Sequence, residues 1–214
     1  MLYVKSFEFS PVRENTYVLY NEENQCCIID PGCYFSEEQD ELKGFIDKAG
    51  LQPILLLNTH CHLDHVFGNK FVHDTWGLTL HIHEKEKPVL DYAPVAGEKW
   101  QLPFENYEGE LKYIKEGEKI AIGKDEMEIF FTPGHSPGSI TFYNAKDGYV
   151  VSGDVLFNGS VGRTDLPGGD FKVLFNSIQT QLFTLPDDTK VYSGHGPVTT
   201  IGFEKMNNPF VKLY

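Results

Sequence analysis

Residues 60–65 read His-Cys-His-Leu-Asp-His, which places four ligand-type side chains within six positions. In an extended segment, side chains two apart point the same way. His60, His62 and Asp64 therefore project together, and His65, next to Asp64, turns toward a second centre. Imidazoles and carboxylates are ligands that Zn²⁺, Mn²⁺ and Fe²⁺ accept. Buried together without a cation they would carry large desolvation costs. A solvated polar loop is the alternative, and it fits poorly with four such groups packed so closely.

Three later residues occur in matching settings. His135 lies in Thr132-Pro133-Gly134-His135-Ser136-Pro137-Gly138 after the run Met127–Phe131, Asp154 follows Tyr149–Gly153, and His195 follows Val191–Gly194. In each case a short strand-like run leads through a glycine to one ligand-type side chain. Strand ends give rigid placement, and glycine lets backbone crowd a metal centre.

The rest of the pattern alternates strands with helices. Strands are expected at Leu2–Phe9, Tyr17–Tyr20 and Cys26–Asp30. A helix follows, with Ser36 and Gln39 as a capping box and Gly50 as its stop. Pro53–Leu57 reads as a strand buried on both faces, Val66–Trp76 as one short helix stopped by Gly77, and Leu78–Ile82 as a strand. Residues 84–118 read as helix fragments and surface loops. Strands resume at Lys119–Ile122, Met127–Thr132, Ile140–Tyr143, Tyr149–Ser152 and Val191–Ser193. A loop runs from Asp154 to Asp170, and a helix fits Phe171–Phe183 with Val173, Leu174, Ile178 and Leu182 on one face. There is no internal repeat, so residues 1–214 read as a single domain with helices flanking two sheets.

Composition limits the partners. The formal charge is −13, from 18 Lys+Arg against 31 Asp+Glu. That opposes a non-specific grip on nucleic acid and on anionic membranes, and leaves a small-molecule substrate as the expected partner. The four cysteines form no CxxC pair and read as buried free thiols of a reducing compartment. The N-terminus lacks a basic-then-apolar pattern, and no run approaches the roughly 18 apolar residues of a membrane span. A cytoplasmic location is expected.

Taken together, THCHLDH, TPGHSPGS, SGDVLF and SGHG resemble the metallo-β-lactamase superfamily over nearly the whole chain. The resemblance implies an α+β four-layer αββα sandwich with mixed sheets and metals at one edge. It implies two divalent ions, zinc first, with iron or manganese as alternatives. One would be held by His60, His62 and His135, the other by Asp64, His65 and His195, with Asp154 bridging. True β-lactamase branches generally differ where His65 and Asp154 stand here, and the pattern resembles the glyoxalase II-like hydrolases. The loop Gly162–Asp170 and the segment Glu204–Phe210 resemble the short group of these, and the GRTD loop also resembles persulfide dioxygenases. Full-length glyoxalase II enzymes add a C-terminal helical domain that supplies much of the glutathione contact; 19 residues follow His195 here, so the resemblance carries the metal chemistry and leaves glutathione recognition open.

The reaction so implied is hydrolysis of a thioester such as S-lactoylglutathione by a metal-bridging hydroxide, with Asp64 holding the second metal and orienting the hydroxide. The alternative is a mononuclear Fe(II) persulfide dioxygenase on His60, His135 and Asp154; a β-lactamase or a non-catalytic metal-binding protein is less favoured. Arg163 either orients a substrate carboxylate or pairs with Asp165 and braces Asp154. Asp30 reads as a support behind a ligand imidazole. His73, His81, His83 and Cys61 read as packing or surface residues.

Overall fold

Three separate buried clusters divide the chain into four layers. The computed structural model describes residues 1–211. The first sheet runs in the order β1 (Tyr3–Phe9), β2 (Glu14–Tyr20), β3 (Gln25–Ile29), β4 (Gln52–Leu57), β5 (Leu80–Ile82) and β6 (Leu111–Tyr113). The second contains β7 (Lys119–Ile122), β8 (Asp125–Phe131), β9 (Ile140–Asn144), β10 (Tyr149–Gly153), β13 (Lys190–Ser193) and β14 (Thr199–Thr200), with β13 and β14 beyond β10. A hairpin of β11 (Leu156–Phe157) and β12 (Ser160–Val161) stands apart from both sheets.

Side chains alternate across each strand, so one strand supplies two clusters. Leu19, Cys27, Ile29 and Leu57 meet Ile122, Met127, Ile129, Ile140 and Phe142 between the sheets. Val18, Ile28, Leu56 and Leu80 face outward onto Leu42, Ile46, Val72 and Leu90. Those four belong to α1 (Ser36–Lys48), α3 (Asn69–Trp76) and α4 (Lys87–Lys99). On the far side Val150 and Val191 pack on Leu174 of α5 (Phe171–Ser177), Ile178 and Leu182 of the π-helical turn after it, and Ile201 of α6 (Ile201–Asn207). This is the expected αββα sandwich with mixed sheets.

Strand direction places the chemistry. β3 and β4 are parallel, so Asp30 and the 60–65 motif emerge at the same edge. β2 is antiparallel to β3, which brings its first residue, Glu14, to that edge as well. In the second sheet β9 is antiparallel to both β8 and β10, and β10 is parallel to β13. β8, β10 and β13 therefore end together, and the residues after them converge.

Several expectations need correction. The first helix is capped one residue earlier than Ser36 and Gln39 suggested: the Glu38 carboxylate accepts from the N–H groups of Tyr34 and Phe35 at 2.8 and 3.0 Å. β4 is not buried along both faces, since Ile54 is 37% exposed and only Leu56 and Leu57 are sealed. The single helix expected over Val66–Trp76 is two, α2 (Leu63–Val66) and α3. They part at Gly68, whose N–H donates to the Pro31 carbonyl at 2.7 Å and which has no room for a Cβ beside Cys33 Sγ.

The 84–118 segment is more ordered than its composition implied. It holds the thirteen-residue α4 and the edge strand β6. Pro94 removes the amide that would bond the Leu90 carbonyl, and Asn106 Nδ2 donates to that carbonyl instead at 2.8 Å. Val173 is 41% exposed, because it sits one position, about a quarter-turn, from the buried Leu174. Among the described residues no helix is long and apolar enough to cross a membrane.

Candidate metal centre

The 60–65 motif is fixed from behind by Asp30, which follows β3 with φ 49°, a left-handed conformation that aspartate tolerates better than most residues. Its Oδ1 accepts from Thr59 N at 2.7 Å and Asn58 Nδ2 at 3.1 Å, and its Oδ2 from Thr59 Oγ1 at 2.6 Å. Asn58 Nδ2 also donates to the His65 carbonyl at 2.8 Å, so both ends of the motif hang on one small network.

From this frame two clusters form. His135 Nε2 lies 3.1 Å from His60 Nε2 and 2.8 Å from His62 Nδ1. His195 Nε2 lies 3.1 Å from Asp64 Oδ2, and His65 Nε2 is 3.7 Å from that oxygen. In each cluster the ligand atoms fall within 4.8 Å of one another. Asp154 stands between them, with Oδ1 3.5 Å from His65 Nε2 and Oδ2 3.5 Å from His135 Nε2 and 3.6 Å from His195 Nε2.

The back of each ring sets which nitrogen faces inward. The Nδ1 of His135 donates to the Arg163 carbonyl at 2.7 Å, and that of His195 to the Arg13 carbonyl at 3.1 Å. A carbonyl only accepts, so Nδ1 carries the proton and Nε2 turns its lone pair to the site. Thr59 Oγ1 donates to Asp30 and so accepts from His60 Nδ1 at 3.1 Å. His65 Nδ1 faces Asp30 Oδ2 at 3.1 Å. His62 is the exception and presents Nδ1 itself.

Electrostatics differ between the clusters. Burial, then the crowding of other imidazoles, holds His60 well below the usual histidine range and lowers His62 to about 3. Burial also lowers His135. These three rings are neutral lone-pair donors facing one another at hydrogen-bond distance. In the second cluster burial opposes protonation of His65, but Asp64, Asp154 and Asp30 outweigh it and push its pKa well up. Burial opposes ionisation of Asp64 and Asp154, yet His65 and its neighbours hold both below the ordinary carboxylate range. His65 Nε2 and Asp154 Oδ1 are buried without a hydrogen-bond partner. Converging lone pairs and orphaned buried atoms fit a divalent cation in each cluster, and the N/O donor set suits zinc, iron or manganese.

A sequence profile of the metallo-beta-lactamase superfamily matches residues 10–195. The chain belongs to the metallo-beta-lactamase superfamily. A probable metallo-hydrolase of Bacillus subtilis, YqgX, is 39% identical over 94% of this chain and 93% of its own. The hydroxyacylglutathione hydrolase GloC of Haemophilus influenzae is 36% identical over 96% and 98%. Among solved structures, the B3 metallo-beta-lactamase BLEG-1 superposes with a TM-score of 0.90 at 37% identity, covering 98% of this chain and 99% of the other. TTHA1623 in a di-iron-bound form gives 0.88 at 36%, covering 96% and 99%. Membership supports a metal-dependent hydrolase.

In this superfamily member all seven residues singled out from sequence meet at one edge. Arg163 and Asp165 do not join them: the guanidinium pairs with Asp165 at 2.7 and 2.8 Å on the exposed loop, and only the Arg163 carbonyl reaches His135. The bracing that was expected at Asp154 thus falls on His135. His81 and His73 bond backbone carbonyls at 2.9 and 2.8 Å, and His83 stacks on Phe131 at 4.7 Å. Cys61 is buried in the helix-side cluster with Val66 and Leu56.

Two buried acids were missed. Glu14 Oε1 lies 3.8 Å from His65 Nδ1; it opens β2, three residues before the strand expected from sequence begins. Glu86 is wholly buried within the stretch whose composition suggested surface.

The His135 loop also rests on α5. Gly134 has φ 130°, and a Cβ there would collide with the Leu174 backbone. Gly134→Ala is expected to cost about 2–3 kcal/mol from backbone strain and collision. A thermal melt should show this as a drop of about 4–12 °C for a domain of this size.

Proposed function

We propose that the protein is a binuclear hydrolase of small thioesters, carrying two divalent cations, zinc or iron. The observation that carries this reading is Asp154, whose two carboxylate oxygens lie 3.5 and 3.6 Å from imidazoles of both clusters. One ion would rest on His60, His62 and His135, the other on Asp64, His65 and His195, with Asp154 between. Such ions polarise a carbonyl and lower the pKa of a held water toward about 7. The hydrolase name carried by the relative GloC and the di-iron state of TTHA1623 support the reading.

The chain's own groups supply the rest. Asp64 is ionised and held by His195 at 3.1 Å, so its carboxylate, besides holding the second ion, would orient the attacking water. The backbone carbonyls of Arg13 and Arg163 hold His195 and His135 in the tautomer that keeps Nε2 facing inward. A thiolate leaves readily, because its parent thiol has a pKa of about 8.5, and needs little help from an acid. No cysteine serves as nucleophile: burial pushes Cys26 up to about 12 and raises Cys27, Cys33 and Cys61 too.

The test joins metal analysis of protein purified without chelator to a substrate panel. The panel holds S-lactoylglutathione, simpler thioesters, a chromogenic β-lactam and glutathione persulfide with oxygen. Two metals per chain and preferential thioester cleavage are expected. One iron per chain with oxygen uptake on persulfide, or preferential β-lactam opening, would replace this reading.

A further inference from the structure

Glu86 ends the 3-10 turn Glu84–Glu86 and is 0% exposed. Its carboxylate accepts from three donors: Oε2 from Cys61 N at 2.8 Å, and Oε1 from Ser136 Oγ and Gly138 N, both at 2.6 Å. All three partners are neutral. Cys61 stands between His60 and His62, and Ser136 follows His135. The carboxylate thus ties together the two segments that supply the first cluster. It accepts no hydrogen bond from Asp64, His65, Asp154 or His195. The fit is tight from the other side too, since a Cβ on Gly138 would press against Glu86 Cγ, N and Oε1 at 2.9 Å.

Burying a carboxylate without a cation is costly, and a hydrophobic residue would fill the same space without that cost. A polar clamp is retained where it fixes geometry, because three converging donors define a position more narrowly than apolar packing does. We infer that Glu86 is a positioning residue for the first metal centre alone, acting by locking the His60–His62 segment against the His135 loop. The inference rests on the binuclear reading of the site and is independent of the substrate.

Glu86→Gln keeps the shape but turns an NH₂ toward at least one donor, leaving that donor unpaired. Chelator-stripped protein is titrated with Co²⁺ and its visible absorption followed; two steps in the unaltered protein are the separate check on the binuclear reading. In E86Q, affinity at the first cluster should fall about 10–100-fold, the usual effect of losing an outer-sphere partner, while the other step moves less than about threefold. In a His62→Ala background, where the first cluster is already broken, E86Q should change the remaining step less than about threefold. Equal weakening of both steps, no weakening at all, or an undiminished loss in the His62→Ala background overturns the assignment. If E86Q does not fold, Ser136→Ala removes one donor and leaves the carboxylate; a smaller loss confined to the same step is expected, and a loss shared by both steps overturns it.

Discussion

Asp154→Asn is expected to lower bound metal and turnover together, with activity down at least about 100-fold. The carboxylate faces His65 with one oxygen and His135 and His195 with the other. An amide keeps the shape, removes the charge, and points a donor where a lone pair stood. Both clusters lose the group they share, so the loss should exceed the 10–100-fold typical of a group one shell further out. Metal analysis and turnover are measured on the same sample. Full activity at normal metal content would remove the bridging role from Asp154.

Stripping the metals should produce the second large effect, a fall in thermal stability. Seven ligand-type groups converge here, and His65 Nε2 and Asp154 Oδ1 are left buried without partners. A cation that binds only the folded chain stabilises it by about 4.1 kcal/mol when present at 1,000 times its Kd. For a domain of this size each kcal/mol moves the midpoint by about 2–4 °C, so the stripped protein should melt about 8–16 °C lower. Returning Zn²⁺ should restore the midpoint. A melt unmoved by a strong chelator, with metal loss verified, would contradict the fit of a cation to these clusters.

How much was legible in the sequence follows from where each meaning resides. The seven residues that converge were readable because their chemistry is local: four ligand-type groups in six positions, and single ones placed after a strand and a glycine. Asp30 was readable for the same reason, as a carboxylate ending a strand. Glu86 was not, because its partners lie 25, 50 and 52 residues away and nothing near it in the chain marks it as buried. The length of α4 was hidden by Pro94, whose lost hydrogen bond is made good by Asn106, twelve positions beyond it. The break at Gly68 depends on the Pro31 carbonyl, contributed by another loop. Local pattern carried the chemistry, whereas contacts distant in sequence set the exact form of the elements.

The two clusters are assembled across the gap between the sheets. His60, His62, Asp64 and His65 come from the loop and short helix after β4, whereas His135, Asp154 and His195 follow β8, β10 and β13. Each cluster mixes the two sources, as His135 joins His60 and His62 and His195 joins Asp64 and His65. A cation held in either place would therefore act as a rivet through both halves of the sandwich, closing chain loops of 75 residues between His60 and His135 or 131 between Asp64 and His195. The edge where the seven groups meet is then also the seam along which bound cations would fasten the two halves.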